Sequence, residues 1–178
     1  GAPIHAAHAG GNNNTKYWAV AAVAKCFAEY SLDCVQLDAP HKACADHFPA
    51  PYAGDRHSFN ARIPAQDLLE TYLVPWQRVS AVGVAGVMCS YQAINGKPAC
   101  ASPLIQSVLR GSLRYPGFVA SDCGAVEQIA APFHNYTATL EDAVVQAVRA
   151  GVDSTCGWEF THATGGVMAA VARGSLSL

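Results

Sequence analysis

Residues 117–126 read Gly-Phe-Val-Ala-Ser-Asp-Cys-Gly-Ala-Val, an apolar run that ends in a polar pair and a glycine. The apolar run predicts a buried strand, and the glycine lets the backbone turn directly after it. Ligands of α/β proteins bind at the carboxyl ends of parallel strands, and Asp122 falls at that end of this strand. Asp is also a favoured cap of a following helix. This stretch alone therefore leaves both roles open for Asp122.

Elsewhere the chain repeats the order strand, loop, helix, which is typical of a parallel α/β sheet, either open or closed into a barrel. Residues 1–14, rich in Gly, His and Asn, are expected to be irregular. Neither a sequence repeat nor a separable second domain is visible, so residues 1–178 are interpreted as one domain. We predict strands over 43–48, 84–90, 117–122 and 150–153, and helices over 17–30, from Pro64 to Trp76, 103–113, 140–149 and 160–173.

The composition limits the classes of partner. Of the 178 residues, 51% are hydrophobic and 13% are charged, so we expect elements that are buried on more than one side. The net charge of -2 argues against a nucleic-acid partner, because the chain cannot neutralise a run of phosphates. The apolar runs are shorter than the ~20 residues that span a bilayer, so no membrane partner is expected. The chain opens at Gly1 without a leader, which suggests a fragment or a processed piece.

Seven cysteines are unusual for a cytosolic domain of this size. They form no CxxC pair and have no zinc spacing with histidine, so neither a metal nor another cofactor is expected. They are either buried thiols or disulfides made in an oxidising compartment. Two glycosylation triplets, at Asn13 and Asn135, favour a secreted protein. The candidate disulfides are Cys89–Cys100, which would close the loop around Asn95-Gly96, and Cys123–Cys156, which would join two strand ends.

Polar side chains follow each predicted strand at its carboxyl end. Four such ends would form a polar rim, as at the catalytic face of a (β/α)8 barrel. Because a carboxylate, an imidazole and a phenol occur together, we interpret the rim as a site rather than as ordinary loop polarity. The four pairs are Asp46-His47, Ser90-Tyr91, Ser121-Asp122 and Asp153-Ser154.

Four segments resemble those of family 3 glycoside hydrolases, in the β-xylosidase and β-glucosidase branch. Residues 87–100 resemble the family's MCSYN-x-x-NG-x-P-x-C segment, and residues 117–126 are similar to its nucleophile strand. Residues 56–73 resemble the stretch that joins two family motifs, and residues 150–157 resemble an AG-x-D-x-x-CG segment. The segments are ordered and spaced as in the family from about residue 43 to the end.

The resemblance implies a partial (β/α)8 (TIM-type) barrel with parallel strands, incomplete at its N-terminal side. It also implies a retaining exo-β-glycosidase of the β-xylosidase or β-glucosidase type, acting on an oligosaccharide or aryl glycoside. Asp122 would be the nucleophile that forms a covalent glycosyl-enzyme, with a second carboxyl group about 5–5.5 Å away as acid and base. His47 would contact sugar hydroxyls, and Tyr91 would orient the carboxylate.

The chain departs from the family pattern at several positions. Asp46 stands where the family has a lysine, which exchanges a cation for an anion that could accept hydrogen bonds from sugar hydroxyls or disable the site. The family's arginine motif is not visible, and Ala24-Lys25-Cys26 stands roughly in its place. The family's acid/base Glu lies in a second α/β domain that is absent here. We interpret the glutamates of this chain as solvated surface groups: Glu29, Glu70, Glu127, Glu141 and Glu159.

Two functions remain open at this stage. The first is the central barrel portion of an active, secreted glycosidase whose missing C-terminal domain supplies the acid/base. The alternative is a catalytically inactive sugar-binding remnant, or a truncated family member. Since a full barrel needs ~250 residues, this chain supplies about five strands of eight and is expected to be poorly soluble and inactive alone. Trp158 could stack on a sugar or belong to the core, and Asp153 is expected to stabilise the rim.

Overall fold

A computed structural model describes residues 20–32 and 56–177. Its main sheet has three parallel strands in the order β1 (Val23–Phe27), β3 (Gly86–Cys89) and β6 (Phe118–Ser121). The three strands lie side by side in their order along the chain, with helices between β3 and β6 and between β1 and β3. This is the parallel α/β architecture that the sequence predicts.

β3 and β6 are largely buried, whereas β1 alternates between exposed and partly buried residues before it ends at the buried Phe27. Gly86 is paired with Phe118 across β3 and β6. A Cβ atom at position 86 would contact the Phe118 ring, so the glycine makes room for the aromatic side chain. Phe27, at the end of β1, packs edge-on against Trp76 with ring centroids 5.0 Å apart. Both residues belong to the core between the sheet and the helices.

A second small sheet pairs a segment before the first helix with the loop after β3. Its strands are β2 (Asn60–Ala61), parallel to β4 (Ala93–Ile94), which is antiparallel to β5 (Lys97–Pro98). Asn95 and Gly96 join β4 to β5 with φ of 49° and 84°. Two positive φ angles define a tight hairpin turn, for which Asn-Gly is the preferred pair.

In the part of the chain that the structure describes, five helical segments accompany the sheet. α1 comprises Ala65–Asp67 and continues as a wider turn over Leu68–Tyr72. α3 (Ile105–Ser112) also has wide turns, and at its end the N–H of Leu113 donates to the carbonyl of Val108. α4 begins at its cap Thr139, whose side chain accepts a hydrogen bond from the Asp142 N–H. The remaining segments are α2 (Val74–Ala81), α4 (Leu140–Ala150), α5 (Val167–Ala172) and single turns at Ala99–Ala101, Glu127–Ile129 and Glu159–Thr161.

Three predicted elements differ from the structure. The helix predicted over 17–30 is wrong in its described part, because Val23–Phe27 forms β1. Its short run of Ala and Val cannot be told from a helix by periodicity alone. The strand predicted over 150–153 is reduced to one parallel bridge between Ser154 and Ala120, and the last helix is shortened to Val167–Ala172.

The strand predicted over 43–48 and the irregular segment 1–14 lie outside the described residues. Among the residues that the structure does describe, no helix has the length and hydropathy needed to cross a membrane.

Candidate active site

Asp122 is the first residue after β6, at the carboxyl end of the parallel sheet. Its backbone N–H donates to the Cys89 carbonyl at the end of β3 (2.9 Å). Its Oδ1 accepts a hydrogen bond from the N–H of Cys123 (2.9 Å). The following turn, Glu127–Ile129, begins at Val126 without a side-chain cap. The helix-cap interpretation of Asp122 is therefore wrong, and its carboxylate is held at the strand end.

The other carboxylate oxygen of Asp122 faces a cation. Oδ2 lies 3.6 Å from Lys25 Nζ, and the residue is only 6% exposed. In the described part of the chain, no donor forms a hydrogen bond with Oδ2. A buried polar atom without a hydrogen bond requires an explanation in a native fold. One oxygen of Asp122 is thus bonded to the backbone, and the other faces Lys25 without a hydrogen bond from the described residues.

Tyr91 lies beside this carboxylate. It follows the end of β3, is 8% exposed, and its hydroxyl donates to the Cys123 carbonyl (3.0 Å). Burial, together with the negative charge of Asp122, raises the pKa of Tyr91 to about 12. The phenol keeps its proton at physiological pH and donates it in a hydrogen bond to the carbonyl of the residue that follows Asp122.

Aromatic and basic side chains surround Tyr91 on its other sides. The His57 ring lies 4.5 Å from the Tyr91 ring, and His57 Nδ1 is 2.9–3.1 Å from the amide group of Gln128. The Arg56 guanidinium lies 5.2 Å from the centre of the Tyr91 ring. His134 Nε2 donates to the Tyr91 carbonyl (2.6 Å). Tyr91 is thereby held in one orientation by groups from three separate segments.

Both predicted disulfides are present. Cys89–Cys100 joins the end of β3 to the loop after the hairpin, with Cα atoms 5.2 Å apart. Cys123–Cys156 joins the residue after Asp122 to the segment after α4, with Cα atoms 4.3 Å apart. Each disulfide starts beside a strand end, so both restrain the backbone that carries Tyr91 and Asp122.

Asp153 lies away from this group. Its Oδ2 accepts hydrogen bonds from the Val119 N–H (2.7 Å) and from Arg110 Nη2 (2.7 Å). Since Val119 is in the first half of β6, Asp153 is bonded to the sheet before the strand end. Asp153 therefore bonds to the sheet and not to the rim that it was expected to stabilise.

The structure places Lys25 at the site, which the sequence did not predict. Lys25 is on β1, which was predicted to be a helix, so its neighbours in space could not be identified. The apolar run that precedes it was the available signal for a strand. His57 was also missed as a contact of Tyr91. Asp46 and His47, predicted to contact the substrate, lie outside the described residues and remain predictions.

Two glutamates are not the surface groups expected. Glu29 is 5% exposed and Glu159 is fully buried. Burial raises the pKa of Glu29 to about 7, and burial also raises the pKa of Glu159. The expectation failed because Glu29 follows a strand rather than lying on a helix.

Within residues 20–32 and 56–177, no three His, Cys, Asp or Glu side chains are grouped to bind a metal ion.

Comparison with known proteins identifies the family. Residues 5–177 match the family model described as the glycosyl hydrolase family 3 N terminal domain. Beta-D-xylosidase 1 of Arabidopsis thaliana is 42% identical over 122 residues, which are 65% of this chain and 16% of the relative. A probable exo-1,4-beta-xylosidase, bxlB, of Aspergillus fumigatus is 46% identical over 110 residues, 59% of this chain and 14% of the relative.

A solved structure agrees with this assignment. A GH3 exo-beta-xylosidase (XlnD), in complex with a xylobiose aziridine activity-based probe, has a TM-score of 0.66 and 31% identity. The match covers 79% of this chain and 16% of that chain. This chain therefore belongs to glycosyl hydrolase family 3 and has the fold of part of its TIM-type barrel, as predicted. It spans about a sixth of the length of the relatives it matches.

Proposed function

We propose that this chain is the barrel portion of a retaining exo-β-glycosidase of the β-xylosidase or β-glucosidase type, with Asp122 as its nucleophile. One observation carries the proposal. Asp122 Oδ2 is a buried carboxylate oxygen at the carboxyl end of β6, without a hydrogen-bond donor in the described residues and 3.6 Å from Lys25 Nζ. The names of the relatives, xylosidases and a probable exo-1,4-beta-xylosidase, support the substrate class.

The reaction begins with attack of Asp122 Oδ2 on the anomeric carbon of a terminal β-linked sugar. The bond between that carbon and the glycosidic oxygen breaks, and the leaving oxygen takes a proton from a second carboxyl group. Water then attacks the glycosyl-enzyme, gives its proton to the same carboxyl group, and releases Asp122. We place this acid/base in a C-terminal α/β domain of the protein, outside residues 1–178.

Lys25 and Tyr91 act on the sugar and on the nucleophile. The Lys25 ammonium group donates hydrogen bonds to sugar hydroxyls next to Asp122, as we also propose for His47, with Asp46 as an acceptor. Tyr91 orients the carboxylate from the adjacent strand end through Cys123, whose carbonyl accepts from its hydroxyl and whose N–H donates to Asp122 Oδ1. Hydrogen bonds of this kind accelerate the reaction when they strengthen in the transition state. The two disulfides support secretion of the protein.

Covalent trapping tests the proposal. The protein is incubated with the 2,4-dinitrophenyl 2-deoxy-2-fluoro-β-glycosides of xylose and glucose, and its peptides are analysed by mass spectrometry. Dinitrophenolate leaves without protonation, so trapping does not depend on the acid/base. We expect one glycosyl group on the peptide that contains Asp122.

Two variants make the trapping test specific. Asp122→Asn is expected to abolish the label, and Asp67→Asn, which changes an exposed Asp on α1, is expected to leave it unchanged. A label on another peptide would contradict the role of Asp122. Binding of xylose without any label would favour the alternative of an inactive sugar-binding remnant.

We also expect residues 1–178 alone to be poorly soluble and inactive on aryl β-xylosides. Rapid turnover of these substrates by residues 1–178 would place the acid/base within this chain.

A further inference from the structure

Trp158 lies on a segment that is fastened to the end of β6. Cys156 forms the disulfide with Cys123, and its N–H donates to Ser121 Oγ (3.3 Å). Its carbonyl accepts a hydrogen bond from the Gly124 N–H (3.1 Å). The segment that begins at Cys156 therefore leaves the sheet at the strand end that carries Asp122, and Trp158 follows two residues later.

The backbone around Trp158 forms a tight turn that begins at Gly157. Gly157 has φ of 148°, and a Cβ there would contact the Glu159 carboxylate. After Trp158, its carbonyl accepts hydrogen bonds from the N–H (3.1 Å) and the hydroxyl (3.0 Å) of Thr161. The indole is thus carried by a tight, bonded turn.

Trp158 is 48% exposed on this turn, although Phe160, two residues later, packs against the core. Trp158 therefore does not pack into the core of the described residues. The turn holds this large aromatic side chain at the surface, where its ring is open to contact with a ligand.

His162 accompanies the indole and supplies a polar group. The two rings lie 4.7 Å apart at 59°. His162 Nδ1 accepts a hydrogen bond from the Gly165 N–H (3.1 Å), which assigns the proton of the neutral ring to Nε2. Among the described residues, Nε2 has no hydrogen-bond acceptor, so its N–H is available as a donor next to an apolar ring.

We propose that Trp158 and His162 form a saccharide-binding platform for the sugar on the leaving-group side of the bond that Asp122 attacks. The inference rests on the proposed function and names a subsite of that same site. A pyranose ring presents C–H groups on one face and hydroxyls at its edge. The indole contacts the C–H face, and His162 Nε2–H donates to a hydroxyl.

The exposures of the two residues distinguish the leaving-group sugar from the attacked sugar. Asp122 and Tyr91 are 6% and 8% exposed and form a closed group, whereas Trp158 is open to solvent. A terminal sugar enters the closed group, and the rest of the chain extends outward. The open platform therefore suits the next sugar of the chain.

Binding of two probes tests the platform. The probes are xylose, which fills only the closed group, and a sulfur-linked xylobiose, which resists hydrolysis and also reaches the platform. We expect Trp158→Ala to weaken binding of the disaccharide about tenfold and to leave binding of xylose unchanged, as measured by calorimetry. Trp158→Phe should retain most of the affinity. His162→Phe, which keeps a ring and removes the donor, should weaken only the disaccharide, by a few-fold.

A control and the trapping result separate the possible outcomes. Met168→Ala changes a 73% exposed apolar residue on α5 and should affect neither probe. Equal affinity of Trp158→Ala and the wild type for the disaccharide would overturn the platform, even with Asp122 labelled. Loss of affinity for both probes in Trp158→Ala would also overturn it, because that variant would have disturbed the whole site. A wild type that neither binds xylose nor takes the covalent label would overturn the proposed function, and the platform with it.

Discussion

Lys25 Nζ lies 3.6 Å from Asp122 Oδ2, although the two residues come from strands that do not touch. β3 separates β1 from β6, so the two side chains meet across the end of the middle strand. The Lys25 side chain is 58% exposed and that of Asp122 is 9% exposed. The ammonium group is therefore accessible to a ligand, and the carboxylate is enclosed. A sugar bound to Asp122 is expected to contact both.

Replacing Lys25 should impair chemistry more than stability. We expect Lys25→Met to slow covalent labelling of Asp122 by at least tenfold, because hydrogen bonds from the ammonium group to the sugar are lost. The free energy of unfolding should change by less than about 1 kcal/mol, because the lysine is exposed. Stopped-flow release of dinitrophenolate and urea unfolding measure the two effects.

Lys97→Met is the matched control, since Lys97 is exposed and bonded to Tyr136 on the surface. It should label at the wild-type rate. Lys25→Arg keeps the charge and should label at an intermediate rate. Unchanged labelling in Lys25→Met would remove Lys25 from the site.

The sequence predicted those parts of the fold that local chemistry determines. The Asn95-Gly96 turn, the helix α4 and the strand β6 depend on neighbouring residues, and their patterns are specific. β1 was not predicted, because Val and Ala in a run of apolar residues suit a buried helix and a buried strand equally. Only its pairing with β3 shows that this segment is a strand, and strand pairing depends on residues far away in the sequence.

The candidate site was predicted in part for the same reason. Asp122 and Tyr91 each end a recognisable strand, so their proximity could be inferred from the parallel order. Lys25 could not be identified while its segment was taken for a helix. The burial of Glu29 likewise depends on the fold around it, since glutamate is usually a surface residue.

The two disulfides should differ in their resistance to reduction. Cys123 and Cys156 are exposed, whereas Cys89 and Cys100 are 0% and 1% exposed. Since exchange requires access of a thiolate to sulfur, limited dithiothreitol under native conditions should open Cys123–Cys156 first. Alkylation with iodoacetamide and peptide mapping over time measure the order. Equal rates, or earlier loss of Cys89–Cys100, would contradict the difference in burial.

Asp153 should matter for stability and not for chemistry. Asp153→Ala removes the acceptor of the Val119 N–H, which is fully buried in β6, and should lower the free energy of unfolding by about 1–2 kcal/mol. Asp153→Asn keeps an acceptor and should lose less. Both variants should label at the wild-type rate in the folded state. A labelling rate that falls tenfold in Asp153→Asn without a change in stability would show that Asp153 takes part in the chemistry.

Glu29 should make the protein less stable as the pH rises from about 4.5 to about 7. Burial raises the pKa of Glu29 to about 7 from its ordinary 4.5, so within this window the folded state holds a proton that the unfolded state has lost. The unfolded state therefore binds fewer protons, and the free energy of unfolding falls with pH until Glu29 is ionised in both states. The shift corresponds to about 3 kcal/mol over the whole window.

Glu29→Gln should remove this contribution, since glutamine has the same shape and does not titrate. Urea unfolding at pH 5.0 and pH 7.5 gives the difference in stability for each variant. We expect a smaller difference in Glu29→Gln than in the wild type, with a remainder that comes from Glu159, whose pKa is raised in the same direction. Glu70→Gln, at an exposed position, should behave as the wild type. If Glu29→Gln showed the full wild-type difference, Glu29 would be ionised in the folded protein at pH 5, and its burial would have to be offset by a cation.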